Sequence, residues 1–311
     1  MRRSLITGVN GFCGRHLVKR LVAEGVEHIV GADLAAAPAD FEGLSAYHQI
    51  DVSDDSQVRH VLQVSCPDTV FHLAGTHQGS GQAIYVVNVL GTVRLLENLR
   101  QISPHARLLV VGSAAEYGDV PPQDMPITET LSCRPSGPYG ISKYAATLAS
   151  LDYARAWGLK VAVARPFNVV GAGISASLVV GALLERVRIA LETGVESPEV
   201  PIGNLDTERD FIAVDDVVDA YVKIILAGCW GEIFNICSGM PRSVRHVLET
   251  LLSYSARTVR LRVEPGLLRR SDVRTSYGSF EKARRAFGFV PRTDMGTALR
   301  EAWNYAMGTH R

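Results

Sequence analysis

Residues 7–14 of this chain read TGVNGFCG, directly after the apolar run SLI at residues 4–6. Glycines at this spacing allow a strand to turn sharply into a helix. They also let the backbone approach a pyrophosphate, whose charge then lies on the helix N-terminus. Apolar residues at helical spacing, Leu17, Leu21 and Val22, follow the loop. The segment therefore predicts a strand–turn–helix unit that binds a nucleotide, with a purely structural glycine turn as the alternative.

A second apolar run, at residues 28–32, ends in Asp33, which lies 19 residues after Gly14. An acid at about this distance from a glycine loop binds the ribose hydroxyls of a dinucleotide. We therefore predict NAD(H) or NADP(H) as the cofactor. The carboxylate favours NAD(H), because it would repel the additional phosphate of NADP. The predicted contacts in this unit are Gly8, Asn10, Gly11, Phe12, Cys13, Gly14 and Asp33.

Charge and composition exclude several classes of partner. Of the 311 residues 47% are hydrophobic and 21% are charged, and the 32 basic and 32 acidic side chains cancel. No global field therefore favours nucleic acid or an anionic membrane, and no stretch approaches the roughly 20 apolar residues of a membrane span. The five cysteines are scattered without a Cys-x-x-Cys pair. We therefore expect neither a metal site nor disulfides, and a reducing, cytoplasmic setting.

Apolar strand-like runs alternate with helical patterns in the first half of the chain. Strands are predicted at residues 4–7, 29–33, 47–51, 69–74, 108–113 and 161–167, with helices at residues 14–24, 56–63, 84–102 and 139–156. This alternation predicts an α/β fold, a doubly wound parallel sheet covered on both faces. After residue 167 the loops lengthen and the strands shorten, which predicts a smaller C-terminal α/β lobe. We assign residues 1–167 to a dinucleotide-binding domain and residues 168–311 mainly to a substrate lobe, with some later segments returning to the first domain.

The segment PYGISK at residues 138–143 carries a tyrosine and a lysine four residues apart. On a helix Tyr139 and Lys143 share one face, and a nearby ammonium favours the phenolate of a side chain whose ordinary pKa is about 10. Such a pair exchanges a proton with an alcohol or a ketone. Ser113 ends a predicted strand, where its hydroxyl can reach a substrate oxygen. A packing tyrosine beside a solvated lysine is the alternative, but the glycine loop favours a catalytic trio of Ser113, Tyr139 and Lys143.

Together these motifs resemble the extended short-chain dehydrogenase/reductase family, in its nucleotide-sugar-modifying branch. The resemblance covers essentially the whole chain, and the stretches that carry it are residues 7–14, 33, 51–52, 72–75, 88, 113–118, 138–143 and 165–168. It implies a Rossmann domain, a smaller substrate lobe and a homodimer joined through helices that include the one bearing Tyr139. It also implies further cofactor contacts, namely Asp51, Val52, Leu73, Ala74, Gly75, Asn88, Tyr139, Lys143 and Phe167.

The C-terminal half is similar to GDP-mannose 4,6-dehydratases and GDP-4-keto-6-deoxymannose reductases, at residues 164–171, 203–211, 234–239 and 269–273. The similarity implies that Arg209 and Arg269 contact the diphosphate or ribose of a substrate, since guanidinium offers several fixed donors to phosphate oxygens. Asp272 would accept from the nucleotide ribose, and Asn168 would orient the sugar diphosphate. The other implied substrate contacts are Ala114, Ala115, Val179 and Val200. The implied partner is a nucleotide sugar, with a GDP-sugar favoured.

One departure from the dehydratases bears on the reaction. Those enzymes carry an acid just before the Tyr-Gly pair, where this chain has Ser113-Ala114-Ala115, and Glu116 would face the opposite side of an extended segment. The sequence therefore favours a reductase that transfers hydride from NAD(P)H to C4 of a 4-keto-6-deoxy sugar while Tyr139 protonates the oxygen. GDP-4-keto-6-deoxymannose would then give GDP-D-rhamnose. An NAD-retaining nucleotide-sugar 4-epimerase, which Asp33 favours, is the main alternative; a 4,6-dehydratase and a non-catalytic dinucleotide sensor are less favoured.

Overall fold

The structure is a computed structural model that describes residues 1–38, 41–267 and 274–309. Its strands are β1 (Arg3–Thr7), β2 (His28–Asp33), β3 (Ala46–Gln49), β4 (Thr69–His72), β5 (Arg107–Val111), β6 (Lys160–Pro166), β7 (Asn168–Val170), β8 (Glu199–Ile202), β9 (Glu208–Ala213), β10 (Ile233–Ile236), β11 (Pro241–Ser243), β12 (Arg260–Val263) and β13 (Thr275–Ser276). Its helices are α1 (Phe12–Ala23), α2 (Asp55–Ser65), α3 (Gly81–Tyr85), α4 (Gly91–Ile102), α5 (Gly137–Trp157), α6 (Val179–Glu192), α7 (Val214–Ala227), α8 (Val244–Leu252), α9 (Glu281–Phe287) and α10 (Met295–Ala306). A π-helical turn, Val86–Leu90, joins α3 to α4.

Seven strands form the main sheet, in the order β10-β6-β5-β4-β1-β2-β3, and every neighbouring pair is parallel. The central strands are apolar on both faces, and the successive residues Leu5 and Ile6 of β1 are both fully buried. Strands of this kind need helices on both sides of the sheet. The order of the first six strands is that of a Rossmann domain, which confirms the predicted doubly wound α/β fold.

Helices cover both faces of this sheet. On one face α1 packs against α7, and a core that includes Leu17 and Tyr221 joins them to the sheet. On the other face α4 packs between α2 and α5, over a core that includes Leu62 and Leu96. None of the helices in the described part of the chain combines the length and the apolar character needed to cross a membrane.

The second lobe is built from segments after residue 167. Strands β7, β11 and β13 pair with β9, and β8 pairs with β12. Side chains of α6, α8 and α10 and of strands β8 and β9 form its core, which includes Val187, Phe211 and Leu248. Three later elements return to the first domain, because β10 is an edge strand of the main sheet and α7 and α9 pack on that sheet's face. The second lobe therefore comprises only part of residues 168–311.

Candidate active site

A cavity of about 620 Å³ lies between the main sheet and the second lobe, at the carboxyl ends of β1, β4, β5 and β6. Ligands of open α/β sheets bind at this position. The predicted site residues that line it are Gly8, Gly11, Phe12, Cys13, Gly14, Leu73, Gly75, Ser113, Ala114, Ala115, Tyr139, Lys143, Phe167, Asn168, Val179 and Arg209. The fold thus brings most of the predicted cofactor and substrate residues into one cavity.

The glycine loop forms one end of this cavity. Gly8 has a φ of +73°, and a Cβ there would lie 2.6 Å from the amide nitrogen of Ala74. A Cβ at Gly14 would lie 2.5 Å from the carbonyl oxygen of Val9. Both positions therefore require glycine. Helix α1 begins without a side-chain cap, so the N–H groups of its first turn are available to an anion such as a pyrophosphate.

Asp33 supports the glycine loop from the end of β2. Its carboxylate accepts the backbone N–H groups of Asn10 (2.9 Å) and Ala35 (3.2 Å). The side chain of Asn10 donates to the hydroxyl of Tyr47 (2.8 Å) and to the carbonyl of Ala36 (3.3 Å). Asp33 and Asn10 lie beside the cavity rather than in its lining. Sequence analysis missed Tyr47, which completes this support.

Asn88 lies on the π-helical turn and positions a loop of the site. Its amide accepts the N–H of Thr76 (2.8 Å) and donates to the carbonyl of Thr76 (2.8 Å) and to the hydroxyl of Ser142 (2.9 Å). Gly75 precedes this contact, and a Cβ there would lie 3.1 Å from Nζ of Lys143. The helix predicted without interruption at residues 84–102 therefore takes a π turn where its asparagine binds the loop, a placement common at functional sites.

Three other predicted cofactor residues lie outside the cavity lining. Asp51 accepts the N–H of Ser53 at 2.7 Å, in the turn before α2. Val52 is buried against Gly91, at the start of α4. Ala74 lies directly over Gly8. In this structure these residues shape the surroundings of the site, and their contact with a cofactor stays a prediction.

Lys143 lies one helical turn after Tyr139 on α5 and lines the same cavity as Ser113. Its side chain is buried, and Nζ donates to the carbonyl of Val111 at 2.8 Å. Burial lowers the pKa of Lys143 to about 8, while the negative charge of Glu116 acts in the opposite direction. The lysine is thus held by the last carbonyl of β5, which ends two residues earlier than predicted.

The pKa of Tyr139 shifts in the direction opposite to the one expected from its pairing with Lys143. Burial raises its pKa above the ordinary value, while the neighbouring hydroxyl of Ser113 acts in the opposite direction. The predicted favouring of the phenolate by Lys143 is therefore not found, because burial disfavours the charged form. The ring of His77 packs edge to face against Tyr139, with the centroids 5.9 Å apart. Tyr139 is thus a neutral phenol near pH 7, which is the form that donates a proton.

On the opposite wall, Asn168 and Arg209 come from the neighbouring strands β7 and β9. Asn168 Nδ2 donates to the carbonyl of Asp210 at 2.9 Å, and Arg209 Nη1 donates to the carbonyl of Glu208 at 2.8 Å. Both side chains line the cavity. This wall therefore presents an amide and a guanidinium, which suit an anionic ligand.

Of the predicted substrate residues, Val200 does not line the cavity, and two others lie outside the described part of the chain. Val200 is fully buried in the core of the second lobe, because it is one of the alternate residues of β8 that face inward. Its side chain therefore packs under the lobe instead of lining the cavity. Arg269 and Asp272 lie outside the described residues.

Glu116 is fully buried and faces away from the cavity. It ends a 3₁₀ turn, Ala114–Glu116, where the sequence predicts an extended segment. Its Oε2 accepts a hydrogen bond from Nε of Arg165 at 2.8 Å and lies 2.7 Å from Nη2 of the same side chain. The residues that follow Ser113 in the cavity lining are Ala114 and Ala115, which carry only methyl groups. Within the described part of the chain the lining holds one carboxylate, that of the exposed Asp119.

Sequence analysis missed Tyr221 altogether. This residue is fully buried on α7, yet it reaches the cavity together with Cys13. Its hydroxyl has no hydrogen-bond partner among the described residues. An apolar stripe at helical spacing does not indicate which of its members reaches a cavity, so no local signal identifies Tyr221. The described residues also contain no group of three or more His, Cys, Asp or Glu side chains placed to hold a metal ion.

Comparison with known proteins agrees with this site. Residues 4–237 match the model of the NAD dependent epimerase/dehydratase family, and the chain belongs to this family. The match confirms the resemblance seen in the motifs and the cofactor class, NAD(H) or NADP(H). The glycine loop, the uncapped start of α1 and the cavity at the strand ends fit such a dinucleotide. The chain is therefore an NAD(P)-dependent oxidoreductase.

Individual relatives differ in the reaction that their names describe. The GDP-6-deoxy-D-mannose reductase of Pseudomonas aeruginosa is 30% identical over 305 residues, which cover 96% of this chain and 95% of that protein. The solved structure of RMD from Pseudomonas aeruginosa complexed with NADPH is 28% identical, with a TM-score of 0.84 over 99% of this chain and 100% of that chain. The UDP-glucose 4-epimerase of Thermus thermophilus, solved in complex with NAD, is 27% identical, with a TM-score of 0.83 over 99% and 100%.

Proposed function

We propose that the chain is an NAD(P)H-dependent reductase of a nucleotide-linked 4-keto-6-deoxy sugar. The favoured substrate is GDP-4-keto-6-deoxymannose, which would become GDP-D-rhamnose. The observation that carries the proposal is the placement of Ser113, Tyr139 and Lys143 in one cavity, with alanines where a dehydratase would carry its acid. Reduction of a ketone requires a hydride and a proton, and no elimination of water. The named reductase relative, matched over nearly its whole length, supports the same reaction class.

The residues of the trio have separable roles in this reaction. The bound dinucleotide supplies the hydride to C4 of the sugar. Neutral Tyr139 donates its proton to the C4 oxygen. Ser113 Oγ accepts the N–H of Ala115 at 3.1 Å, so its own hydrogen can be donated to the same oxygen, where negative charge develops. Lys143 would hold the nicotinamide ribose.

A nucleotide-sugar 4-epimerase is the second candidate, and Asp33 favours it. The carboxylate suits the free ribose hydroxyls of a retained NAD, and an epimerase relative was solved with NAD. An epimerase first removes a proton from the C4 hydroxyl and later returns it, whereas a reductase only donates one. The reductase is the better candidate, because the GDP-6-deoxy-D-mannose reductase relative matches 96% of this chain at 30% identity. For the same reductase, Asp33 leads us to infer a preference for NADH over NADPH.

Absorbance at 340 nm tests this proposal. Purified protein is mixed with GDP-4-keto-6-deoxymannose and NADH, and then with NADPH. We expect a substrate-dependent loss of absorbance that is faster with NADH. No loss with either cofactor, together with NAD that co-purifies with the protein and interconversion of C4 epimers of a nucleotide sugar, would replace the reductase by the epimerase. Competition by GDP, UDP and dTDP tests the inferred preference for a GDP-sugar.

We also infer a homodimer that forms through α5 and the start of α4. Ile141 and Leu148 share one face of α5 and are 41% and 49% exposed, and Leu90 of the π turn is 46% exposed. Neighbouring exposed apolar side chains are typical of a protein interface. Sedimentation should give the mass of two chains, and Leu148→Glu should reduce it to the mass of one chain.

All five cysteines are unpaired, which supports the inference of a cytoplasmic location.

A further inference from the structure

Glu116 and Arg165 form the one ion pair in the described ranges in which both side chains are buried, at 0% and 2% exposure. The guanidinium also lies over the ring of Tyr117, 4.8 Å from its centroid. Removal of two charges from water is costly, and a buried ion pair is often no more stabilising than apolar residues of the same volume. Neither side chain lines the cavity. The pair therefore needs an explanation other than stability or direct contact with a ligand.

The second oxygen of Glu116 holds the backbone of Ser113. Oε1 accepts the Ser113 N–H at 2.8 Å, while Ser113 Oγ accepts the N–H of Ala115 at 3.1 Å. Together these bonds form a capping box that restrains both the backbone and the side chain of the serine. Gly112 provides the space for this arrangement, because a Cβ there would overlap Oε1.

We propose that Glu116 is a positioning residue: held by Arg165, it fixes Ser113 so that the serine hydroxyl meets the oxygen that Tyr139 protonates. This inference rests on the role proposed for Ser113. Glu116 acts through the serine, because its own carboxylate is fully committed to Arg165 and to the Ser113 N–H and faces away from the cavity.

The charge of Glu116 also reaches the reacting pair. It raises the pKa of Lys143 against the larger lowering by burial, and it adds to burial in raising the pKa of Tyr139. The other titratable groups that face this pair are His77, whose ring packs against Tyr139, His72, with a pKa that burial lowers to about 3, Cys13, with a pKa that burial raises to about 12, and Tyr221, with a pKa that burial also raises. His72, Cys13 and Tyr221 are uncharged near neutral pH. Loss of the Glu116 charge therefore lowers the pKa of Lys143 and of Tyr139. The reduction needs both groups protonated. The basic limb of its pH profile therefore moves to lower pH when the charge of Glu116 is lost.

Three variants separate the two effects of Glu116, which are its hydrogen bond to the Ser113 backbone and its negative charge. Glu116→Gln keeps the shape of the side chain and removes its charge. Gly112→Ala displaces the carboxylate and keeps every charge. The double substitution Glu116→Leu with Arg165→Met removes both charges without leaving a buried guanidinium unpaired. Asp216→Asn is the matched control, because Asp216 is a buried carboxylate that accepts two backbone N–H groups, of Arg292 (3.1 Å) and Thr293 (3.0 Å), outside the cavity.

The readouts are kcat, the KM for each substrate, the pH profile of kcat/KM and the melting temperature. We expect kcat to fall by about tenfold in all three test variants, since a small displacement of a catalytic group is costly, while the dinucleotide KM changes less than about threefold. The basic limb should move to lower pH by about half a unit in Glu116→Gln and stay in place in Gly112→Ala. Asp216→Asn should change only the melting temperature.

Ser113→Ala, measured in parallel, tests the role of Ser113 in the proposed function separately from the positioning role of Glu116. Unchanged kcat in Ser113→Ala removes the role of the serine and with it this part of the proposed function. If Ser113→Ala lowers kcat but folded Glu116→Gln keeps wild-type kcat and pH profile, the positioning role of Glu116 is wrong. The double variant decides the question if Glu116→Gln does not fold, and Gly112→Ala decides it if neither does.

Discussion

The two ends of the cavity offer different groups to a ligand. At the end proposed to bind the dinucleotide the backbone forms the site, because Gly8 and Gly14 have no room for a side chain and α1 presents its N–H groups. At the end proposed to bind the sugar side chains form it, with Asn168 and Arg209 on two strands of the second lobe. A backbone site tolerates few substitutions, whereas a side-chain site changes specificity one residue at a time. We therefore expect substitutions at the glycine loop to affect dinucleotide binding and substitutions at Asn168 or Arg209 to affect binding of the other substrate.

The largest effect should come from Tyr139, where the two ends meet. Tyr139→Phe removes the proton donor and should lower kcat by about a thousandfold, within the range of general acid catalysis. Dinucleotide affinity should stay within a few-fold, because the glycine loop is unchanged. Steady-state kinetics and a fluorescence titration with NADH measure the two quantities. Tyr144→Phe, on the same helix and outside the cavity lining, is the control. Wild-type turnover in Tyr139→Phe would contradict its role as the proton donor.

A single methyl group added at Gly8 should strongly weaken dinucleotide binding. Gly8→Ala places a Cβ 2.6 Å from the amide nitrogen of Ala74 and should weaken NADH binding by about a hundredfold, or about 3 kcal/mol. Gly25→Ala is the matched control, because Gly25 has a similar φ of +78° but no atom within 4 Å of its Cβ position. It should lower the melting temperature and leave the dissociation constant unchanged. Equal losses of affinity in both variants would show that backbone strain, and not close approach, requires the glycine.

The sugar end should show a smaller effect on binding. Arg209→Gln should raise the KM of the nucleotide sugar by about tenfold, as expected for a lost charge-assisted hydrogen bond, with kcat nearly unchanged. Arg245→Gln is the control, because Arg245 is half exposed and pairs with Asp206 at 2.9 Å outside the cavity. A fall in kcat with constant KM would instead show that Arg209 interacts with the substrate only in the transition state.

The smallest effects separate two valines that the sequence analysis treats alike. Val200→Ala, in the core of the second lobe, should cost about 2 kcal/mol of unfolding free energy and leave the KM unchanged. Val179→Ala, in the cavity lining, should change stability little and raise the KM of the nucleotide sugar a few-fold. Urea unfolding and steady-state kinetics measure both. A higher KM in Val200→Ala would restore its predicted role in the site.

Much of the fold follows from local patterns. The glycine loop after an apolar run, the acid at the end of β2 and the alternation of strands and helices each depend on residues close together in sequence. The spacing of Tyr139 and Lys143 likewise predicts their shared face on α5. These predictions succeed because a helix or a buried parallel strand has a fixed period, and because a glycine loop has few backbone solutions.

Several details that the sequence did not predict concern where a side chain points. Val200 falls on the inward face of a strand, and Tyr221 reaches the cavity from a helix that reads as uniformly apolar. Glu116 does face away from the cavity, but through a 3₁₀ turn and a buried arginine 49 residues later. None of these outcomes is encoded in a short stretch.

By itself the sequence determined the doubly wound sheet, because strands and helices have a fixed period over a few residues. Its short motifs determined the family and the cofactor class, and they predicted the catalytic trio, because each motif combines residue types with a fixed spacing. Only the tertiary structure decided the direction in which the pKa of Tyr139 shifts, the burial of Lys143 and the pairing of Glu116 with Arg165. Those properties depend on desolvation and on charges brought together from distant parts of the chain, and they exist only once the chain has folded.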